Sequence, residues 1–189
     1  MRLALIRHGR TAWNLRMAYI GRTDLPLCPE GREELERCRR SAGYPAVQRL
    51  FSSPMLRCVQ TCEILYPGFG PVLLESMRER DFGRFEGLTH PEIAALPGCG
   101  DWGMDEERME FPGGERWEDF ARRVLEGLER LEKEAGARDA ALVCHGGVIM
   151  ALLEKAAGGG RYGYMCPPGG GYLLAGSGGC YSVLGSIDP

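Results

Sequence analysis

The amino-acid sequence predicts one α/β domain in which buried strands alternate with amphipathic helices. Two short apolar runs, Leu3–Ile6 and Ala140–Cys144, precede an Arg-His-Gly and a His-Gly-Gly step. A continuous apolar run closed by a turn former is typical of a buried strand. Stretches near 30–41 and 117–134 carry apolar residues on one face, as packed helices do. A chain of 189 residues has room for one such core and is short for two.

Composition narrows the class of protein. The formal net charge is -3, and no basic block or stripe interrupts the mixture of signs, so nucleic acid is not expected as a partner. No apolar run approaches the length of a membrane span, and the first predicted strand begins at the start of the chain. We therefore expect a cytoplasmic protein without a membrane partner. The eight cysteines form no CxxC pair, which favours reduced thiols over a disulfide scaffold or metal site.

Chemistry-bearing residues follow the first strand directly. Arg7 and His8 stand at its carboxyl end, where ligands bind in an open α/β sheet, and Gly9 permits a sharp turn. The arginine fork matches phosphate oxygens, and a histidine that is neutral near pH 7 can act as a nucleophile. The pair predicts phosphoryl transfer through a phosphohistidine, although Arg-His-Gly alone has a high false-positive rate as a motif.

Arg7-His8-Gly9 and the Thr-x-Trp-Asn14 that follows resemble the signature of the histidine phosphatase superfamily, which contains cofactor-dependent phosphoglycerate mutases and small phosphomonoesterases. The resemblance implies a three-layer α/β/α sandwich with a mostly parallel central sheet, helices on both faces and a small lid insertion. It implies that His8 is the nucleophile and that Arg7 and Asn14 bind phosphate. The loop pattern Tyr-x-Gly-x-Thr-Asp-x-Pro-Leu at 19–27 is similar to that of the small phosphatases. Within this loop only Gly21 is predicted to approach substrate.

A second block follows the predicted strand Val47–Phe51. Ser53 ahead of a proline predicts a helix start, which places Arg57 in the first turn of a helix that runs to Leu65. A solvated helix arginine is the ordinary alternative. Ser-Ser-Pro-x-x-Arg-x-x-Gln-Thr resembles a further motif of the superfamily, and this resemblance implies that Arg57 binds phosphate. Cys28 stands where the family commonly has Ser or Thr, so a weaker cap is predicted for the preceding helix.

A third block surrounds Glu79, after the predicted strand Val72–Leu74. By its register in the family motif Glu79 is the proton donor, because a leaving alkoxide needs a proton as its P–O bond breaks. Burial or a bound phosphate dianion would keep it partly protonated against nearby arginines. Phe82 is predicted to contact substrate. Asp81 and Glu86 are rival carboxylates, interpreted as surface or ion-pair residues.

The domain prediction is a single unit, 1–189, with a lid or specificity insertion at about 84–117. That stretch is rich in turns and aromatic residues and includes a short helix at about 91–96. His90 is interpreted as a helix-start or surface histidine. Phe-Pro-Gly-Gly-Glu115 resembles the family's lead-in to a long amphipathic helix that ends near Glu134.

A strand–His145-Gly146-Gly147–helix unit mirrors the opening motif. Paired glycines at a helix N-terminus let backbone N–H groups face an anion, and Gly146 is predicted to contact substrate. The resemblance implies that His145 is a second phosphate-binding imidazole, with a core histidine as the alternative. Two further strands, 172–175 and 180–185, are predicted to form a terminal antiparallel pair.

These blocks predict a metal-independent phosphomonoesterase without a cofactor. Arg7, Arg57 and His145 would hold the phosphoryl oxygens while His8 attacks and Glu79 protonates the leaving oxygen. Glu79 would then activate the water that hydrolyses the phosphohistidine. A zinc site is the metal alternative, but the two histidines and the glutamate lack a ligand spacing, and arginines repel a cation.

The substrate would be a small phosphorylated metabolite. The family's mutases are longer, and the 19–27 pattern favours a phosphatase, most similar to the α-ribazole phosphatase type of cobalamin synthesis, with α-ribazole 5'-phosphate as candidate substrate. Phosphoglycerate mutase-type transfer and a non-catalytic binding module on the same fold stay open as alternatives. A monomer and a homodimer are both compatible with the sequence.

Overall fold

A mixed sheet of six strands lies between two layers of helices. The computed structural model describes residues 1–41, 43–99 and 110–189. The strands are β1 Arg2–Arg7, β2 Arg49–Ser52, β3 Val72–Leu73, β4 Ala140–Cys144, β5 Gly171–Ser177 and β6 Cys180–Ile187. The helices are α1 Ala12–Leu15, α2 Pro29–Ser41, α3 Leu56–Leu65, α4 His90–Ala94, α5 Trp117–Ala135 and α6 Gly146–Ala156.

The sheet order puts the two histidine-bearing strands side by side. It runs β3-β2-β4-β1-β5-β6, parallel from β3 to β1 and antiparallel where β5 and β6 join. Leu3 lies opposite Ala140, and Arg7 lies opposite Cys144. Because β1 and β4 run parallel in this register, the segments after Arg7 and Cys144 leave the sheet at the same edge. The predicted three-layer α/β/α fold is confirmed.

Side-chain alternation along β1 explains the three layers. Leu3 and Leu5 pack with α5 and α6, whereas Ala4 and Ile6 face a second core that includes residues of α2 and α3. All four side chains are fully buried. A strand buried on both faces must be apolar at every position, which is why its sequence shows a continuous run and no alternation. The residues that follow β1 are therefore attached to a buried strand inside the sheet.

Two predicted helix starts need correction. α3 begins at Leu56 after Met55, not at Ser53, because the Ser53 hydroxyl lies 2.8 Å from Nε2 of His145 and does not cap the helix. The short helix after residue 84 spans His90–Ala94. Thr89 caps it, because its hydroxyl accepts from the Glu92 N–H while its own N–H donates to the Glu92 carboxylate. Glycine-rich and acidic residues 100–109 of the predicted lid lie outside the described residues.

The structure also bears on the helix cap at Cys28, on the other cysteines and on membrane crossing. Cys28 accepts a hydrogen bond from the N–H of Gly31 at 3.4 Å, so a thiol takes the capping place usually held by a hydroxyl. All eight cysteines are free thiols. Within the described ranges, no helix is both long enough and apolar enough to cross a membrane.

Candidate active site

A cavity of about 450 Å³ opens where β1 and β4 end. Six of the predicted site residues line it, namely Arg7, His8, Asn14, Glu79, Phe82 and Gly146. They come from four separate segments of the chain. The parallel register of β1 and β4 and the turn that carries Glu79 therefore bring together groups that are far apart in sequence.

The His8 ring is buried and held in one tautomer. Its Nδ1 lies 2.7 Å from the carbonyl oxygen of Gly9, and because a carbonyl can only accept, Nδ1 carries the proton. Nε2 consequently keeps its lone pair. Burial, together with the charges of Arg57 and Arg7, lowers the pKa of His8 well below its ordinary value. The imidazole is therefore neutral near pH 7, as a nucleophile must be.

Two guanidinium groups supply positive charge beside this ring. Arg57 is fully buried, and its two Nη atoms donate to the carbonyls of Gly21 and Thr23, both at 2.9 Å. Arg7 donates from Nη1 to the Cys166 carbonyl at 2.7 Å. In each group Nε is buried and has no hydrogen-bond partner among the described residues. Since buried donors are rarely left unpaired, these two N–H groups suit an oxyanion.

The Glu79 carboxyl is buried and fixed by backbone donors. Oε1 accepts from the N–H of Arg80 at 2.9 Å, and Oε2 accepts from the N–H of Gly147 at 3.0 Å, at the start of α6. Burial raises the pKa of Glu79, against the effect of these bonds and of the Arg57 and Arg7 charges. A carboxyl whose protonated form is favoured in a cavity wall is suited to donate a proton.

His145 lies next to His8, at a ring-centroid distance of 5.2 Å. It is fully buried, and its Nε2 lies 2.8 Å from the hydroxyl oxygen of Ser53. Burial and the charge of Arg57 lower the pKa of His145 well below its ordinary value. Neither His145 nor Arg57 is among the described residues that line the open cavity. Phosphate binding by these two side chains stays a prediction.

Asn14 and Gly21 have different relations to the cavity. Asn14 lines it, while its Oδ1 accepts from the N–H and hydroxyl of Thr11 at 3.0 and 2.9 Å. Its amide nitrogen is therefore the group that it can offer to a ligand. Gly21 is not among the described lining residues, and its carbonyl accepts from Arg57. A Cβ at this position would overlap the Arg80 carbonyl, so a glycine is needed where this carbonyl binds Arg57. Direct contact of Gly21 with substrate stays a prediction.

Glu86 has a structural contribution that the sequence did not indicate. Its carboxylate accepts from the N–H groups of Arg22 at 2.8 Å and Thr23 at 3.1 Å, and from the Thr23 hydroxyl at 2.7 Å. This carboxylate holds the loop whose carbonyls receive Arg57. Ser53, which contacts His145, was likewise interpreted only as a helix start. The Ser-Ser-Pro motif is the signal that could have indicated this contact, because it precedes Arg57, which the resemblance already assigns to phosphate binding.

An apolar wall forms the outer part of the cavity, and no sequence pattern predicted it. Met17 and Met165 line the cavity and are 85% and 65% exposed. Met17 also has a left-handed backbone, with φ of 56°. Arg10 and His90 are further lining residues, and Arg10 Nε lies 2.7 Å from Glu34. The apolar members of this wall are Met17, Ala18, Tyr19, Ile20, Met150, Met165 and Pro168.

Among the described residues, no group of three or more His, Cys, Asp or Glu side chains is placed to hold a metal ion. A glucosyl-3-phosphoglycerate phosphatase from Mycolicibacterium vanbaalenii is 32% identical over 83% of this chain and 74% of that protein. A phosphoglycerate mutase structure from Thermus thermophilus is 33% identical, with a TM-score of 0.75, and the match covers 100% of this chain and 99% of that one.

The comparisons also address the fold and the family. The α-ribazole phosphatase from Shigella flexneri has a TM-score of 0.86 over 100% of this chain and 96% of that one, at 20% identity, which is a likeness of fold alone. A model of the histidine phosphatase superfamily (branch 1) matches residues 3–165, which include the Arg7-His8-Gly9 and His145 motifs. The chain therefore belongs to the histidine phosphatase superfamily.

Proposed function

We propose that this protein is a metal-independent phosphomonoesterase that works through a phosphohistidine at His8. One observation carries the proposal. The Nδ1–H of His8 is bound by the Gly9 carbonyl at 2.7 Å, so Nε2 is free to attack. The charges of Arg57 and Arg7 act on the same ring, and Glu79 lines the same cavity. This arrangement supports a site in which His8 is the nucleophile, the arginines supply positive charge and Glu79 donates a proton.

In the first step Nε2 of His8 attacks phosphorus and the ester P–O bond breaks. The bonding electrons go to the ester oxygen, which takes the proton of Glu79 and leaves as an alcohol. Arg7 and Arg57 bind the non-bridging oxygens, with His145 and the Asn14 amide assisting. These donors stabilise the charge on the transferring phosphoryl group.

In the second step water hydrolyses the phosphohistidine. The Glu79 carboxylate accepts a proton from the water, whose oxygen attacks phosphorus as the P–N bond breaks. The electron pair returns to Nε2 of His8, inorganic phosphate is released, and Glu79 is again protonated. This step needs no metal and no other cofactor. Phe82 and Gly146 contact the substrate beside the reacting phosphoryl group.

The apolar wall supports a phosphatase that acts on an ester with an apolar leaving group. Arg10, a cation near the cavity mouth, is already bound to Glu34 at 2.7 Å, whereas phosphoglycerate needs a positive partner for its carboxylate as well as its phosphate. Methionine thioethers adapt to flat apolar or aromatic groups. This favours a small metabolite such as α-ribazole 5'-phosphate over phosphoglycerate. Chain length does not contribute, because the Thermus thermophilus mutase structure matches end to end.

The proposal is tested by turnover of 4-nitrophenyl phosphate in the presence of a chelator, with wild type and His8→Ala compared. We expect chelator-resistant turnover that the substitution abolishes. Turnover that requires an added metal, or that survives in the variant, would contradict the mechanism. Parallel assays with α-ribazole 5'-phosphate and 3-phosphoglycerate plus 2,3-bisphosphoglycerate separate phosphatase from mutase. Absence of catalysis with all of these substrates would favour a binding module.

A further inference from the structure

All five N–H donors of Arg123 on α5 are engaged. Nε and Nη2 bind the two carboxylate oxygens of Glu115 at 2.7 and 2.8 Å. Nη1 donates to the carbonyls of Ser76 and Arg78, both at 2.8 Å, and Nη2 donates to the Glu79 carbonyl at 2.9 Å. A guanidinium satisfied at every donor is held in a single orientation.

The carbonyls that Arg123 binds belong to the segment that carries Glu79. This segment is also attached to Glu115 through the backbone. The N–H of Glu115 donates to the Asp81 carbonyl at 2.9 Å, and Arg80 Nε donates to the Glu115 carbonyl at 2.8 Å. Residues 76–81 are therefore bound at several points to α5 and the residues that precede it.

Glu79 is consequently held at both ends. Its carboxylate is fixed by the N–H groups of Arg80 and Gly147, and its main chain is fixed by Arg123. The ion pair is largely buried, with side chains 21% and 17% exposed for Arg123 and Glu115. Since Glu115 balances the charge of Arg123, the guanidinium can bind carbonyls beside Glu79 with little net charge added there.

We propose that the Arg123–Glu115 pair positions Glu79 for proton transfer to the leaving group. Both are positioning residues, because neither is among the described residues that line the cavity. The inference rests on the proposed proton-donor function of Glu79. It adds that the placement of this acid depends on a contact from α5.

The test compares two esters that need the acid to different degrees. Phenolate is a poor leaving group, whereas 4-nitrophenolate leaves readily without a proton. Glu79→Gln should lower kcat/KM for phenyl phosphate by about 100-fold, with a much smaller loss for 4-nitrophenyl phosphate. Arg123→Gln should reproduce this selective loss at about tenfold or more, since small misplacements of a catalytic group are costly.

Conservative variants and a neighbouring arginine provide the controls. Arg123→Lys keeps the positive charge but makes fewer hydrogen bonds, so it should recover part of the activity on phenyl phosphate. Glu115→Gln should show a milder selective loss on the same ester. Arg122→Gln is the matched control. Arg122 lies next to Arg123 in sequence, is 68% exposed, and pairs with Asp119 at 2.6 Å. It should keep the wild-type ratio of the two kcat/KM values.

The kinetics of these variants decide whether Arg123 and Glu115 position Glu79. Unchanged kinetics in Arg123→Gln, or equal losses on both esters with a lowered Tm, would overturn the inference while the Glu79→Gln result stood. If Arg123→Gln does not fold, Arg123→Lys and Glu115→Gln decide by the same ratio. Failure of the proposed function is distinguishable, since wild type would then show no turnover that depends on His8.

Discussion

The Nδ1 atom of His8 donates to the carbonyl oxygen of its own neighbour, Gly9, over 2.7 Å. This short local bond fixes both the ring orientation and the position of its proton. Nε2, the atom that the proposed mechanism uses as nucleophile, is thus left with its lone pair by backbone geometry at the end of β1. Gly9 itself has no room for a side chain, because a Cβ there would lie 3.0 Å from Cγ of Leu35 and closer still to Cδ1.

Substitution of Arg57 tests whether its buried Nε serves an anion. Arg57→Lys loses the planar fork and the bonds to Gly21 and Thr23. We expect kcat/KM to fall by about 100-fold or more, as when one oxyanion donor is removed, and inhibition by inorganic phosphate to weaken. Steady-state kinetics with phosphate as inhibitor measure both effects.

Arg49→Lys is the matched control for that experiment. Arg49 also has a buried Nε without a partner among the described residues, but it lies at the amino end of β2, opposite Ala140. Phosphate inhibition should be unchanged in this variant. Similar weakening in both variants would show that an unpaired Nε does not identify the phosphate site.

Gly147→Ala should damage catalysis without unfolding the protein. A Cβ at Gly147 would overlap Oε1 of Glu79, which is the movable end of a side chain. The carboxyl would shift, and the expected result is the selective loss on phenyl phosphate that Glu79→Gln produces. Gly146→Ala is the comparison, since its Cβ would lie 3.5 Å from the Arg7 guanidinium carbon, an ordinary contact. Only Gly147→Ala should alter the ratio of kcat/KM values. The same ratio change in both would refute the displacement of Glu79.

The two buried histidines should make stability depend on pH. Burial, with the charge of Arg57, lowers the pKa of His8 and His145 below 6.5, so below that pH the unfolded chain binds protons that the native protein does not. The free energy of unfolding should therefore fall as pH decreases from 6.5. His145→Gln should reduce this slope by about 1.4 kcal/mol per pH unit, the contribution of one proton.

Glu79 also makes the free energy of unfolding depend on pH, but with the opposite sign. Burial raises its pKa above 4.5, so the native protein keeps a proton that the unfolded chain loses, and stability is lost as pH rises through that window. Glu79→Gln should thus steepen the fall in stability toward low pH. Urea unfolding of the three proteins at several pH values between about 4.5 and 7 measures these slopes. A flatter profile in Glu79→Gln would contradict the assignment of Glu79 as a protonated acid.

Removal of an apolar side chain at the cavity mouth tests the substrate class. Met165 is 65% exposed, so Met165→Ser should change stability by less than about 0.5 kcal/mol. We expect KM to rise several-fold for naphthyl phosphate and to stay constant for glycerol phosphate. Equal effects on both esters would argue against an apolar subsite, as would no effect on either.

The strand ends of the site could be predicted because their signals are local. The apolar runs before Arg7 and before His145 mark strands buried on both faces, and each histidine motif follows immediately. The bonds of Arg123 could not be predicted, since it binds Ser76, Arg78 and Glu79 across more than forty residues of sequence. On its helix alone it resembles any solvated arginine.

Tertiary contacts likewise changed the interpretation of polar residues near the motifs. Ser53 precedes a proline and suits a helix cap, yet its hydroxyl lies 2.8 Å from Nε2 of His145, which follows the neighbouring strand β4. The sequence suggests a surface or ion-pair residue at Glu86, but its carboxylate binds the loop whose carbonyls receive Arg57. Local propensity describes what a side chain can do alone, whereas these two positions are decided by the chain that packs against them.

The most direct test of the central claim is to locate the phosphoryl group on the enzyme. The protein would be quenched in alkali during turnover and analysed by ³¹P NMR and by mass spectrometry of its peptides. The account predicts one phosphorylated residue, His8, modified at Nε2, and no label in His8→Ala. A phosphoryl group on Nδ1, on His145 or on another residue would contradict it.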